Sequence, residues 1–461
     1  MTKSKTNKTV PSSFRDPSGF LFYKDSSIYR QVNKLYKDDY DHLMKSGLYN
    51  KLVESQLLIP HREVNIQGPD PGKAYKVIEP EPIPFISYPY EWCFSQLKDA
   101  ALATFKIERT AMDYEMTLKD SSAYNIQFKN GNPILIDTLS FKKYTKGETW
   151  IAYRQACQHF IAPLALMAYR DIRLNQLFRI YLDGIPLDLA SALLPSSTGF
   201  KASLLSHIHL HSKSQKHFAD RKVKVGTHKI SRLSFLALID SLESTVKRMK
   251  WQPEGTEWAD YYQDTNYSAE AFEYKKEIIN KLLGETSTKK LWDLGANDGF
   301  FSRIASSQGI YTISFDIDPA AVEKNYLRSI KNSETNILPL ILDLTNPSPS
   351  IGWENKERTS LIKRGPVDTV LALALIHHLT ITNNLPIVKI AEFFSFICSY
   401  LIIEFVPKDD SQIQRMLSTR EDIFPDYSKE AFEKEFKKYF ILKQIEKIKD
   451  SKRILYLMKK R

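Results

Sequence analysis

Residues 291–302 read LWDLGANDGFFS, an apolar run that closes on an acid and is followed by two glycines four residues apart. The pattern predicts a strand at Lys290–Leu294, a tight turn and a helix from about Phe301. Glycines in such a turn let the backbone bend sharply and approach a ligand with no Cβ in the way. N–H groups freed at the helix start attract a negative group. A second apolar strand, Tyr311–Asp316, ends in an acid about twenty residues on, where a carboxylate accepts hydrogen bonds from both ribose hydroxyls. These features predict a nucleoside site at the carboxyl edge of a sheet. The spacing D-x-G-x-N-x-G departs from the dinucleotide pattern G-x-G-x-x-G, and Asp293 would repel a pyrophosphate seated on the helix N-terminus. An acid there suits a cation, such as the amino group of an amino-acid moiety. S-adenosylmethionine fits that requirement better than NAD.

Outward from the turn, the second half of the chain alternates short apolar strands with helices. Ser268 can cap a helix running to about Leu283, with Phe272, Ile279 and Leu283 on one face and Gly284 as its C-cap. Further strands are expected at Asn336–Leu342, Val367–Ala372 and Tyr400–Phe405. At the end, YFILKQIEKI and RILYLMKK flank a short polar KDSK turn and read as a hairpin. By position alone, Asp318 is placed to cap the helix that Pro319 opens, and Asp343 could equally cap a helix.

Over about residues 255–461 this series resembles the class I S-adenosylmethionine-dependent methyltransferases. The first motif looks like DLGANDG, carried by Asp293, Gly295, Asn297 and Gly299, with asparagine where the strictest pattern has glycine. FDIDPAAV (315–322) is similar to the ribose-acid strand, with Asp316 as the binding residue. LILDLTNPSP (340–349) looks like the adenine-side motif, which implies that Asp343 faces the exocyclic amine and Leu344 flanks the ring. VDTVLALALIHHL (367–379) resembles the fourth strand and the wall of the acceptor pocket. The resemblance implies an α/β, Rossmann-like domain, a mostly parallel seven-stranded sheet with an antiparallel last strand. It implies S-adenosyl-L-methionine as cofactor and no metal.

On the acceptor side, His377 and His378 follow the fourth strand, and a neutral histidine there can take the proton of an attacking hydroxyl, thiol or amine. His378 is the better placed of the two. Glu404, at the end of the fifth strand, is a further candidate acid or base. Each of the three could instead be a packed or locally bonded group. Tyr261, Tyr262 and Tyr267 precede the first helix and could close over the cofactor or simply pack.

The first half carries TLKDSSAYNIQFKNGNPILIDTLSF (117–141), in which Asp120 and Asn125 are five apart and Asp137 ends a strand after an Asn-Gly hairpin turn. Phosphotransferases use such a set, with an Asp near the acceptor hydroxyl and an Asn and a second Asp on metal. Residues 75–180 weakly resemble the protein-kinase-like and aminoglycoside-phosphotransferase fold. The departures are Leu118 in place of the usual histidine, DTL in place of DFG, no glycine-rich phosphate loop near residue 20, and Arg30 where a lysine is usual. A repurposed lobe that shapes the acceptor site is therefore expected, with phosphotransfer through Asp120, Asn125 and Asp137 as the alternative. His159 and Arg154, in the apolar stretch 150–171, read as buried polar contacts. The whole two-part layout loosely resembles a bacterial group of NoeA-like nodulation proteins with methyltransferase tails.

Length and composition bound these readings. A chain of 461 residues predicts two or three domains. We divide it into a loose terminus (1–13), an N-terminal α+β domain, kinase-like in outline (14–210), a basic linker with a connecting helix (211–254) and the methyltransferase domain (255–461). Aromatic residues at 12% exclude wholesale disorder, and three scattered cysteines exclude a disulfide scaffold and fit a reducing, cytoplasmic setting. Neither a membrane span nor a signal peptide is expected. The net charge of +11 raises a polyanionic partner, and with it an RNA-directed methyltransferase. However, LALALIHH stands where a base-methylating motif would follow the fourth strand. The acceptor is thus expected to be a small molecule, glycan or peptide, not nucleic acid. The oligomeric state is not readable.

Overall fold

The computed structural model describes residues 8–211, 229–255, 269–418 and 421–461. The chain divides into two units, Met1–Trp251 with Ser350–Arg358, and Gln252–Pro349 with Thr359–Arg461.

The first unit opens on an antiparallel sheet of β1 (Lys8–Thr9), β2 (Gly19–Lys24), β3 (Ser27–Asn33), β4 (His61–Glu63) and β5 (Ala74–Pro80), ordered β1-β2-β3-β5-β4. The two residues between β2 and β3, Asp25 and Ser26, both have positive φ, the conformation a two-residue hairpin needs to match strand twist. A 20-residue helix, Phe94–Asp113, buries Leu97, Ala100, Ala101, Phe105 and Ala111. Two small ladders follow, β6 (Met116–Leu118) with β9 (Phe141–Lys143), and β7 (Ile126–Lys129) with β8 (Asn132–Leu135). Asn130 and Gly131 turn the second hairpin with positive φ, as an Asn-Gly turn does. The helix Arg232–Arg248, read from sequence as a connector, belongs to this unit and buries Phe235, Ile239, Leu242 and Val246. Residues 212–228, the first part of the expected linker segment, lie outside the described residues, as do Ser268, Tyr261, Tyr262 and Tyr267.

The second unit is built on one seven-stranded sheet. Its strands are β10 (Lys290–Leu294), β11 (Tyr311–Asp316), β12 (Ile337–Ile341), β13 (Val367–Ala372), β14 (Cys398–Phe405), β15 (Phe440–Lys447) and β16 (Ile454–Lys460). Their order is β12-β11-β10-β13-β14-β16-β15, parallel throughout except for β16, which runs antiparallel to both its neighbours. Strands buried on both faces read as continuous apolar runs, which is why β10 to β13 lack alternation, whereas the edge strand β15 alternates. Leu291, Leu371, Ile402, Leu455 and Leu457 meet Ile278, Ile279, Leu282 and Phe301 from the covering helices in one core. The strand order reverses between β10 and β13, so a crevice opens beyond their carboxyl ends, where open α/β sheets bind ligands. Among the described residues, no helix is long and apolar enough to cross a membrane.

Candidate functional site

The glycine turn leaves β10 at that crevice. Gly295, Asn297 and Gly299 all have positive φ, +77°, +50° and +78°. Asparagine tolerates this left-handed conformation better than other side chains, so Asn297 stands where glycine could. Gly299 is more constrained, because a Cβ there would lie 2.5 Å from the Asn325 amide. The Gly295 and Ala296 N–H groups donate to the Phe315 carbonyl at 2.9 Å, which ties the turn to β11.

That tie places two buried carboxylates near each other. Asp316 accepts the Asn297 N–H at 2.7 Å on one oxygen and the Asp318 N–H at 2.9 Å on the other. Asp293 accepts the Ser302 hydroxyl at 2.6 Å. Burial pushes the Asp293 carboxyl up to about 7 against the Ser302 hydrogen bond, and nearby Asp316 adds to the rise. Burial likewise pushes Asp316 up to about 6, with the two N–H bonds opposing. Among the described residues, neither carboxylate forms a salt bridge. The edge therefore gains when a cation arrives.

Several of the residues that follow β11 and β12 are partly exposed. Ile317 follows Asp316 and is 54% exposed. Asp343 and Leu344 are half-buried, and one Asp343 oxygen accepts both the N–H (2.8 Å) and hydroxyl (2.6 Å) of Thr345. Asp343 thus closes a local turn, where a helix cap was the alternative. Asp318 does cap its helix, accepting the Ala320 and Ala321 N–H groups.

On the acceptor side the structure separates the three candidates. His377 is buried, its Nδ1 has no hydrogen-bond partner among the described residues, and burial holds its pKa well below the usual histidine value. His378 is half-buried, its ring centroid 4.2 Å from that of His377. Burial and then the Arg453 charge press it down to about 4, so it is neutral at physiological pH. Of the two readings open for Glu404, the contacts favour the bonded one. Glu404 is fully buried, and its carboxylate takes the Lys275 ammonium at 2.6 Å and the Ala374 N–H at 2.9 Å.

In the first unit, Asp120, Asn125 and Asp137 come together with Arg30. Asp120 accepts from the Ser122 N–H at 3.0 Å, from Gln155 at 2.8 Å and from the Asn125 side chain. Asp137 accepts the Leu139 N–H at 2.9 Å and the Ser140 hydroxyl at 3.0 Å, and pairs with the Arg30 guanidinium at 2.5 Å. Burial and then Asp137 raise the Asp120 pKa. Protein donors thus occupy the carboxylates that a divalent metal would need, and these residues do not fit one. His159 is buried as expected, whereas Arg154 is exposed.

Strand order, glycine turn and paired acids together give the second unit the Rossmann-like fold of the class I S-adenosylmethionine-dependent methyltransferases. No family model matches the chain. It is 34% identical over 460 residues to the nodulation protein NoeA of Rhizobium meliloti (strain 1021), across 97% of this chain and 95% of that one. The chain belongs to the NoeA family. Among solved structures it is similar to magnesium protoporphyrin IX methyltransferase ChlM of Synechocystis PCC 6803 with bound SAH (14% identity, 44% of this chain, 92% of that one, TM-score 0.31). It is also similar to N-methyltransferase NodS of Bradyrhizobium japonicum WM9 (9%, 42% and 98%, TM-score 0.31). A third is the bifunctional kinase-methyltransferase WbdD (16%, 41% and 38%, TM-score 0.26).

Sequence reasoning passed over Ser302, Ile317, Lys275 and Arg453. For Lys275 a signal existed, since it lies between Phe272 and Ile279 on the apolar stripe of its helix.

Proposed function

We propose that the second unit binds S-adenosylmethionine and transfers its methyl group to a small-molecule, glycan or peptide acceptor. When bound, the cofactor supplies a methyl group activated on a sulfonium. Asp316 would hold the ribose hydroxyls, and Asp293 and the turn of Gly295, Asn297 and Gly299 the amino-acid end. Ile317 and Leu344 would sandwich the adenine, with Asp343 near its amine. The observation that carries the reading is the pair of buried carboxylates, with no bonded cation among the described residues, beside a left-handed glycine turn. Neutral His378 would accept a hydrogen bond from the acceptor and orient it. The chain's main contribution is then placement, since in-line transfer gains chiefly from proximity and orientation.

For the first unit, we propose a kinase-like lobe that no longer transfers phosphate, supported by the Arg30–Asp137 pair. Incubating the whole protein with a metabolite extract and methyl-labelled S-adenosylmethionine tests the main reading, with Asp316→Ala as the blank. Label transfer that survives the substitution would overturn the site.

A further inference from the structure

The second unit buries a row of alternating charge that the roles above do not use. Lys275, on the helix Ala269–Gly284, is 3% exposed, and its ammonium donates to Glu404 at 2.6 Å. The same ammonium lies 4.8 Å from the centre of the Phe301 ring, two residues beyond Gly299. Glu404 also faces Arg453 at 3.6 Å, and Arg453 is paired in turn with Asp410 at 2.8 Å. Taking a lysine and a glutamate out of water is costly, and apolar residues in their place often leave stability unchanged or improved. Packing alone therefore does not call for this pair.

Its geometry suggests another use. The Glu404 oxygen that binds Lys275 also accepts the Ala374 N–H. Ala374 has φ +47°, rare for alanine, and opens the turn that carries His377 and His378. Leu375 in that turn packs against the glycine turn, 3.3 Å from where a Gly295 Cβ would stand. Among the described residues, the charged groups that act on Lys275 are Glu404, Arg453 and Asp293. Those around Asp293 are Asp316 and Lys275, with the Ser302 hydroxyl bonded to it. Lys275 thus adjoins both halves of the crevice.

Resting on the cofactor site proposed above, we propose that Lys275 is a positioning residue. Its ammonium holds Glu404 on the Ala374 N–H, which locks the acceptor-side turn, and it sets a buried positive charge against Phe301 at the end of the glycine turn.

The test is calorimetric binding of S-adenosylmethionine to the full chain from about pH 5.5 to about pH 8.5, across the acids' titration. Lys275→Met alone leaves Glu404 short of a cation and can unfold the unit, so the double variant K275M/E404Q is measured beside it; glutamine keeps an acceptor for Ala374. The double variant should bind about tenfold more weakly near neutral pH, with the midpoint of the pH profile raised by about half a unit or more. Lys275→Arg, which keeps the charge, should restore both. A double variant with the parent's affinity and midpoint would overturn this proposal alone. A parent that binds no S-adenosylmethionine would overturn the cofactor site and this proposal together.

Discussion

Removing the Asp316 carboxylate should separate cofactor binding from folding. In Asp316→Ala the Asn297 and Asp318 N–H groups lose their acceptor, and an orphaned buried donor costs about 1–3 kcal/mol. The same change abolishes a buried carboxylate whose pKa stands near 6 against a reference of 3.8. That rise of about two units makes its ionised form cost roughly 3 kcal/mol at neutral pH. The two orphaned donors together cost about 2–6 kcal/mol, largely offset by the relieved carboxylate, so the melting temperature of the cofactor-free protein should fall only modestly. Binding has no such offset. A buried acceptor shared by two ribose hydroxyls is worth about 1.5–3 kcal/mol, or roughly tenfold to a hundredfold in Kd. Titration calorimetry with S-adenosylmethionine near pH 8, beside thermal melts of both proteins, reads the two quantities separately. A variant that stays folded and binds within about twofold of the parent would refute the role given to Asp316.

Other outcomes can be stated more briefly. Gly299→Ala should cost at least about 1–2 kcal/mol from its left-handed φ alone, with the Asn325 clash in addition, whereas Gly295→Ala meets only a Leu375 methyl and should cost less; chemical denaturation ranks them. S-adenosylmethionine affinity should rise as pH climbs through about 6 to 7, because Asp293 must ionise to hold the amino group and Asp316 to accept both ribose hydroxyls, and the slope should shrink in Asp293→Asn. Between about pH 4 and 7 the same raised acids bind more protons folded than unfolded and so lower cofactor-free stability as pH rises, while the lowered histidines His377 and His378 act the opposite way. The binding isotherm, rather than the melt, is therefore the cleaner readout. In the first unit, calorimetry with ATP and Mg²⁺ should show no heat that Asp137→Asn abolishes; Arg30→Ala should destabilise by about 3–5 kcal/mol, because it strands a largely buried carboxylate.

The second unit was legible because its signals are local. A strand ending in an acid, a turn of left-handed residues and a second acid about twenty residues on are each written in consecutive residues. Tyr311–Asp316 and Val367–Ala372 run between the residues that the apolar pattern picks out, while β14 begins at Cys398, two residues before the apolar core of its run. Glu404 shows where locality fails. Its position at a strand end marks a candidate acid, but its partners come from residues 275, 374 and 453, far apart in sequence. Lys275 fails in another way. In AFEYKKEII it reads as one of two solvated lysines, and only the helix phase turns it inward while Lys276 stays partly exposed. The first unit was the hardest to read, because D-x4-N with a following Asp names a chemistry whose machinery depends on a distant cation. Arg30, over a hundred residues away in sequence, decides what Asp137 can hold.

This difference in range also explains why net charge says little here. The excess of +11 is carried largely by lysines in water, whose fields fade within about 8–10 Å at ordinary ionic strength. Asp293 and Asp316 sit almost out of solvent, where an interaction between charges a few ångströms apart is several times stronger than at the surface. A cationic cofactor in the crevice would thus meet a locally acidic site on a basic protein. The burial that raises the pKa values of these carboxylates also makes a cation worth more to them, so the cost seen without ligand and the affinity expected with it share one origin.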